Sequence, residues 1–120
     1  MTNTTTFLTA VKTDVQAFVL TKATYMAVGT STTAATVADT TLGTEVKRKA
    51  IEESTTGTSD VVVSMLLTSA DANASSITEV GAFDASSAGN MMNRALYTAI
   101  AKTASIDVWI DIEEQIDVTQ

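Results

Sequence analysis

The chain has 120 residues, no cysteine, no histidine and a formal net charge of −7. This length suits one domain with one core, and the composition excludes disulfides, thiolate metal sites and histidine-based catalysis or zinc binding. The acidic balance argues against nucleic-acid binding, which needs clustered cations, and the apolar runs are too short to cross a bilayer. We therefore expect one domain over residues 1–120 that engages neither nucleic acid nor membrane.

A helix is predicted over residues 7–20, where apolar residues recur at the spacing of one helical face. The hydroxyl of Thr5 or Thr6 can cap its start. We expect this amphipathic helix to pack its apolar stripe on a sheet or on a partner. The stripe consists of Phe7, Leu8, Val11, Val15, Phe18 and Val19.

After the helix the apolar period changes to two, which is typical of β-strands. Residues 30–43 lack any period and are predicted to be a long surface loop. The predicted fold is mainly β, an antiparallel β-sandwich over residues 24–113 followed by a C-terminal tail over 114–120. Its predicted strands cover residues 24–29, 44–54, 59–69, 77–84, 91–100 and 105–113.

Two of these strands differ in pattern. Strand 59–69 has Val61, Val63, Met65 and Leu67 on one face and Val62 and Leu66 on the other, as expected for a central strand. Strand 105–113 alternates strictly, with Ile106, Val108, Ile110 and Ile112 on one face and Asp107, Trp109, Asp111 and Glu113 on the other. One face of the last strand should therefore be buried and the other wet.

The glycines at 81 and 89 raise the question of a ligand-cradling loop. A phosphate loop needs a helix directly behind its glycines, whereas the residues after Gly89 have a strand pattern. We therefore predict a structural hairpin between strands 77–84 and 91–100. Gly81, in mid-strand, then marks a bulge or a close approach of two backbones.

The register of this hairpin makes a specific prediction. If Asp84 pairs with Met91, Glu79 lies opposite Leu96 and Gly81 lies opposite Arg94. Glu79 and Arg94 are then diagonal neighbours on one face of the sheet, within reach of a long side chain.

The remaining polar groups do not form a recognisable site. Asp107, Asp111 and Glu113 offer oxygen ligands for calcium, but strand spacing distributes them over roughly 20 Å, so we predict a solvated acidic face and no metal site. Without histidine or cysteine, a nucleophile has only carboxylates and lysines as bases. No motif combines them, and we expect neither an enzyme nor a cofactor.

Two further features invite a functional interpretation. Lys47-Arg48-Lys49 is the one basic run. Its side chains would alternate faces on a strand, so we predict edge protection or ion pairing and no polyanion site. Trp109 and Tyr97 are expected to pack, Trp109 against the helix or a second subunit, and ligand stacking is the alternative.

Four stretches carry a resemblance to a known family. They are YMAVGTS (25–31), DTTLGTEVKRKAI (39–51), ITEVGAFDASSAGNMMNRALY (77–97) and IAKTASIDVWIDI (100–112). In this order they resemble small virion proteins of tailed viruses, related to the N-terminal regions of phage tail-fibre and baseplate or collar proteins. The likeness covers residues 24–113, with Ala-Phe at 82–83 where many relatives have Leu-Phe.

The resemblance implies a non-enzymatic virion protein, assembled in the host cytoplasm. It implies a homo-oligomer, with a trimer favoured, attached to other tail, baseplate or capsid proteins. It also implies framework positions, which fall here on Glu79, Gly81, Phe83, Arg94, Lys102 and Trp109.

Two alternatives remain open at this point. One is a capsid decoration or turret protein. The other is a carbohydrate- or cell-surface-binding module, with Trp109, Tyr25 or Tyr97 as the stacking platform and loop 30–43 around it.

Overall fold

The structure, a computed structural model, describes residues 5–117, with side chains from residue 8 onward. The protein is mainly β with one N-terminal helix, as predicted. Within the described residues no helix has the length and apolar character needed to cross a membrane. The elements are α1 (Thr5–Lys22), β1 (Tyr25–Gly29), β2 (Glu45–Ala50), β3 (Glu53–Thr56), β4 (Asp60–Leu67), β5 (Ser75–Phe83), β6 (Met91–Lys102) and β7 (Val108–Gln115).

The strands form two antiparallel sheets that pack as a β-sandwich. The four-stranded sheet has the order β2-β1-β5-β6, and the three-stranded sheet has the order β3-β4-β7. The short connection from β2 to β3 joins the two sheets on one side. On the other side β6 and β7 are both edge strands with a groove between them. We call this second side the open side.

The predicted single strand over 44–54 is wrong, because the chain changes sheets in the middle of it. Ile51 donates its backbone N–H to Thr24 in the four-stranded region (3.1 Å), whereas Glu52 donates to Ser64 in the three-stranded sheet (2.8 Å). Side chains point to alternate faces in both β2 and β3, because both segments are extended strands. A period of two therefore gives no signal of it.

The interior between the sheets is filled by the side chains that the alternation predicted. Val61, Val63, Met65 and Leu67 of β4 are completely buried, and β4 is the central strand of its sheet. They meet apolar residues of every layer, namely Ala23, Met26, Val28, Ile77, Val80, Ala82, Ile110, Ile112 and Ile116. A second, smaller cluster of Ala27, Leu42 and Phe83 lies on the outer face of the four-stranded sheet.

The helix docks through a different face from the predicted one. Buried Gln16 donates its amide to the carbonyls of Gly57 (2.8 Å) and Asp60 (3.0 Å), and Val19 and Leu20 pack against the core. Phe18, in contrast, is 59% exposed. Most of the predicted stripe therefore does not pack on the sheets. The side chains proposed as caps, and that of Phe7, lie outside the described side chains.

Both ends of the last strand differ from prediction. Ile106 precedes β7 and is exposed, so the buried alternation begins at Val108. The predicted tail over 114–120 is wrong in its first part, because β7 continues to Gln115. Ile116 is buried, and its N–H bonds to the Ser59 carbonyl at 2.7 Å. Residues 118–120 of that tail lie outside the described residues.

Candidate functional site

A buried ion pair lies on the outer face of the four-stranded sheet. The β5–β6 register places Glu79 opposite Leu96 and Gly81 opposite Arg94, which confirms these two predicted pairs. The predicted pair of Asp84 with Met91 is wrong, because the register shifts between Ala82 and Phe83 and Met91 pairs with Phe83. Arg94 contacts the Glu79 carboxylate through Nη2 at 2.8 Å and Nε at 2.9 Å. Glu79 is fully buried and the Arg94 side chain is 4% exposed.

The ion pair fixes the long loop that follows β1. The Glu79 carboxylate accepts the backbone N–H groups of Gly43 (3.0 Å) and Thr44 (2.8 Å). Arg94 also bonds Asp39 at 2.9 Å and the Thr33 carbonyl at 2.8 Å. The loop predicted over 30–43 is thus held across the sheet by two charged side chains.

The electrostatics of the pair favour its charged state. Burial by itself raises the pKa of Glu79, but hydrogen bonds from Thr44, Arg94 and Gly43 outweigh it and hold that pKa below its usual value. The Glu79 contact raises the pKa of Arg94. Both groups are therefore ionised at neutral pH, and the pair serves as a structural element with no group free for acid–base work.

Two glycines make room for this arrangement. A Cβ at Gly81 would lie 2.8 Å from the Asn93 carbonyl oxygen, and a Cβ at Gly29 would collide with the Glu79 carboxylate. The predicted close backbone approach at Gly81 is confirmed. Nothing in the sequence indicates that position 29 has to be glycine, because Glu79, whose carboxylate takes up the space of a Cβ there, is 50 residues away.

A second arginine fixes the β5–β6 turn. Arg48 lies over the ring of buried Phe83, with Cζ 3.6 Å from the ring centroid. It donates to the carbonyls of Ala85 (3.0 Å) and Ala88 (2.8 Å) and pairs with Glu45 at 2.6 Å. The turn around Gly89 is therefore part of a structural hairpin, and two of its carbonyls, those of Ala85 and Ala88, are bonded by Arg48.

The lysines of the same sheet hold the β4–β5 connection. Lys102 is 1% exposed and donates to the Thr68 carbonyl (2.7 Å), Asn73 Oδ1 (3.0 Å) and the Thr103 carbonyl (2.8 Å). Lys47 and Lys49 pair with Asp71 at 3.2 and 2.7 Å. The basic run thus lies on an edge strand and forms ion pairs, which confirms its predicted role.

Asp71 is the acceptor that joins these contacts. Burial acts to raise its pKa, but hydrogen bonds from Lys49, the Thr68 N–H and Lys47 together hold the pKa well below the usual value. No sequence spacing indicates this pairing, because Asp71 follows β4 whereas the lysines belong to β2.

The open side has a different character. The groove between β6 and β7 has a volume of about 470 Å³ and exposes apolar side chains of both edges. Trp109 is 45% exposed and Leu96 is 37% exposed. Tyr97 and Ile100, partly buried, line the same groove. Trp109, which was expected to pack against the helix or a second subunit, is thus only partly covered by the described residues.

The polar groups at the open side are few. The Tyr97 hydroxyl is buried without a partner among the described residues, and burial raises its pKa to about 12. Glu114, whose pKa is raised by burial, accepts a hydrogen bond from Asn93 of β6. Most of the side chains that line the groove are apolar, and the groove runs along the edges of two strands.

The three aromatic side chains named as alternative stacking platforms lie in two separate places. Tyr25 packs with Leu42 and Phe83 on the outer face of the four-stranded sheet, and the loop over 30–43 covers that face. Trp109 belongs to the other sheet. Only Tyr97 shares the groove with Trp109.

The acidic residues of β7 contact different neighbours. Asp111 accepts a hydrogen bond from Ser64 at 2.5 Å, and the neighbouring Asp60 raises the pKa of Glu113. Within residues 5–117 no group of three or more metal-ligating side chains is positioned to hold a metal ion.

The comparisons with known proteins do not add a relative. No family model, curated protein or solved structure matches this chain significantly. The resemblance to tailed-virus virion proteins therefore stays a prediction made from residues, and the same holds for the function it implies.

Proposed function

We propose that the protein is a structural component of a tailed-virus particle, which works by assembly with copies of itself and with other virion proteins. The observation that carries the proposal is a difference between two parts of the protein surface. The charged side chains of the four-stranded sheet are occupied in holding loops, whereas apolar side chains of α1 and of the open side face solvent. Exposed apolar patches on a folded domain are typical of protein–protein contact.

The edges of the sheets support the same proposal. β6, which is 12 residues long, and β7, which is 8 residues long, are both edge strands of their sheets. Long edges with unpaired backbone groups invite pairing with another chain. Assembly of identical copies covers such surfaces without any catalytic residue.

Light scattering on the purified chain, over a series of concentrations, tests the proposal. We expect a homo-oligomer, with a trimer favoured, and binding to other tail, baseplate or capsid proteins of the same particle. A chain that is monomeric at every concentration and binds none of those proteins would contradict the proposal. A capsid decoration protein would differ only in its partner. The virion protein that this chain binds therefore decides between a place in the tail or baseplate and a place on the capsid.

A second candidate is a carbohydrate-binding module, which the exposed Trp109 beside the groove favours. Trp109 is the only tryptophan of the chain, so its fluorescence reports directly on the groove. A saturable shift on titration with host glycans would support this candidate. An unchanged signal, together with an oligomer in light scattering, would contradict this candidate and support only the structural role.

A further inference from the structure

The groove on the open side reaches the interior of the sandwich. Val80, Ile110 and Ile112 belong to the main core cluster, and all three also line the groove. Leu96 and Trp109 lie beside them and are 37% and 45% exposed. The groove is therefore a place where apolar side chains of the core can be contacted from outside.

Both walls of the groove are strand edges. Among the described residues β6 pairs only with β5, and β7 pairs only with β4. In an antiparallel pair every second residue directs its N–H and C=O away from the partner strand. About half of the residues of β7 thus present unpaired backbone groups toward the open side. An extended segment satisfies such groups through a ladder of backbone hydrogen bonds.

The alternation of β7 determines which side chains such a segment must carry. Ile110 and Ile112 are buried, whereas Asp111 and Glu113 are exposed on the other face. Residues directly opposite each other on paired strands lie on the same face of a sheet. Residues opposite the two isoleucines would point into the groove and must be apolar. Residues opposite the two carboxylates would face solvent. The part of β7 that lines the groove, residues 109–113, spans about 13 Å of extended chain.

The charge beside the groove is negative and has no counterion. Asp111 and Glu113 form no ion pair with a described residue, and the hydrogen bond that Asp111 accepts comes from the neutral Ser64 hydroxyl. The Asp60 carboxyl raises the pKa of Glu113, as expected for two acidic groups in contact. Because opposite charges across a strand pair stabilise it and like charges destabilise it, the positions opposite these carboxylates favour cations.

This chain offers no strand of that composition. It has seven lysine and arginine residues. The five of them that lie on strands already bond a connecting segment or its anchoring aspartate. The basic run at 47–49 also places cations on both faces of β2, so its cations do not alternate with apolar residues. Charge complementarity therefore selects a segment of a different protein over a second copy of this chain.

We infer that the open side binds an extended segment of another protein, which pairs with the free edge of β7 and alternates apolar residues in the groove with basic residues opposite Asp111 and Glu113. This inference rests on the proposed function and deepens it, because it states the chemistry of the segment by which a partner protein attaches. The four-stranded sheet and its bound loops are not involved.

Titration of the full chain with capped synthetic peptides tests the inference. The probe is a peptide of about seven residues in which valine and lysine alternate, which covers the length of the groove. Trp109 is the only tryptophan and lines the groove, so we expect a saturable change in its fluorescence. Two control peptides should not bind at concentrations that saturate the probe. One has the same valines and lysines in two separate blocks. The other is the probe with its backbone amides methylated, which keeps the charge but cannot donate to a strand edge.

Matched variants locate the binding. Asp111→Asn combined with Glu113→Gln removes the carboxylates opposite the lysines and should raise the Kd of the probe by about 2- to 30-fold, the effect of two cross-strand ion pairs. Asp14→Asn combined with Glu52→Gln removes the same charge at exposed positions outside the groove and should leave the Kd unchanged. Amide hydrogen exchange should slow in β7 when the probe binds, and not in β2, which is an edge strand as well.

The outcomes separate this inference from the proposed function. Equal binding of the alternating, block and methylated peptides would overturn the inference, because charge alone would then explain it. Absence of probe binding would overturn it too, and would leave the light-scattering test of self-assembly unaffected. If the probe dissociates a wild-type oligomer, the groove is an interface between copies, which overturns the assignment to another protein. Specific probe binding by a chain that is monomeric and binds no virion protein would support the inference and contradict the proposed function.

Discussion

The two sheets of the sandwich use charge in opposite ways. The four-stranded sheet carries Lys47, Arg48, Lys49, Arg94 and Lys102, each of which bonds a connecting segment or its anchoring aspartate. The strands of the three-stranded sheet carry no lysine or arginine. None of their acidic side chains has a cationic partner among the described residues, and Glu53, Asp111 and Glu113 are exposed. The charges of the four-stranded sheet therefore have partners within the protein, whereas the three-stranded sheet keeps an excess of negative charge.

The difference shows which part of this small domain is held rigid and which part a partner protein can bind. Loops bound by buried ionic contacts cannot rearrange without exposing those charges to a poor environment. The open side and the three-stranded sheet contain few such contacts, so a partner can cover them at little structural cost. Four substitutions test this comparison.

Arg94→Leu should have the largest effect, because it leaves the buried Glu79 carboxylate without its cation. We expect the free energy of unfolding in urea to fall by about 3–5 kcal/mol. Adding Glu79→Gln to this variant should recover part of the loss. A single variant that unfolds like the wild type would show that loop 30–43 is not held by the pair.

The effect of Arg94→Leu should also depend on pH. In the folded wild type the pKa of Glu79 lies below its unfolded value of about 4.3, so the stabilisation is present above that pH and is lost as the pH falls through the folded pKa. In the variant, protonation instead relieves the unpaired carboxylate. The difference between the two proteins should therefore shrink below about pH 4.

Lys102→Met should have an intermediate effect. It leaves the oxygens of Thr68, Asn73 and Thr103 without their shared donor, at a cost of about 2 kcal/mol. Lys47→Met is the control. The Lys47 side chain is 39% exposed and buried Asp71 keeps Lys49 as its partner, so we expect a loss below about 1 kcal/mol. Equal losses in urea unfolding would contradict the assignment of Lys102 as the buried anchor.

Tyr97→Phe probes the open side and should change stability little at neutral pH, because the hydroxyl it removes has no partner among the described residues. The folded pKa of Tyr97, about 12, exceeds the unfolded value of about 10. Its contribution is thus complete below pH 10 and lost between about pH 10 and 12. Thermal melts should show a smaller alkaline loss in the variant.

Glu113→Gln should have the smallest effect. It removes one member of a like-charged pair, in which Asp60 raises the pKa of Glu113. We expect a slightly higher melting temperature at low salt and no difference at about 1 M salt, where such interactions are screened. Asp117→Asn, which removes one charge outside the pair, is the control. A stabilisation that persists in high salt would point to packing instead of charge.

The hairpin of residues 77–97 shows how much local pattern can predict. Alternation and the turn residues around Gly89 predicted a register that brings Glu79 to Arg94, and this part of it is correct, although the pairing next to the turn is shifted by one residue. The third and fourth partners of this contact, Asp39 and Thr33, could not be predicted, because they come from a loop without periodicity. Asp39 and Thr33 are suitable residue types, but they are 55 and 61 residues from Arg94 in sequence, so no local pattern links them to it.

The helix shows the opposite case. Its apolar period predicted the element, but not which face would dock. The structure buries Gln16, whose amide donates to the carbonyls of Gly57 and Asp60, and it packs Val19 and Leu20 against the core. A hydrophobic pattern measures transfer from water alone and contains no information on acceptors supplied by distant turns.

The sequence by itself determined that this chain folds as an antiparallel sandwich with one helix, because periods of two and 3.6 are set by local backbone geometry. The tertiary structure alone decided where the chain changes sheets at Ile51, which loops the cations hold, and which helix face stays in solvent. These depend on contacts between residues far apart in the chain, whose energies no local pattern records.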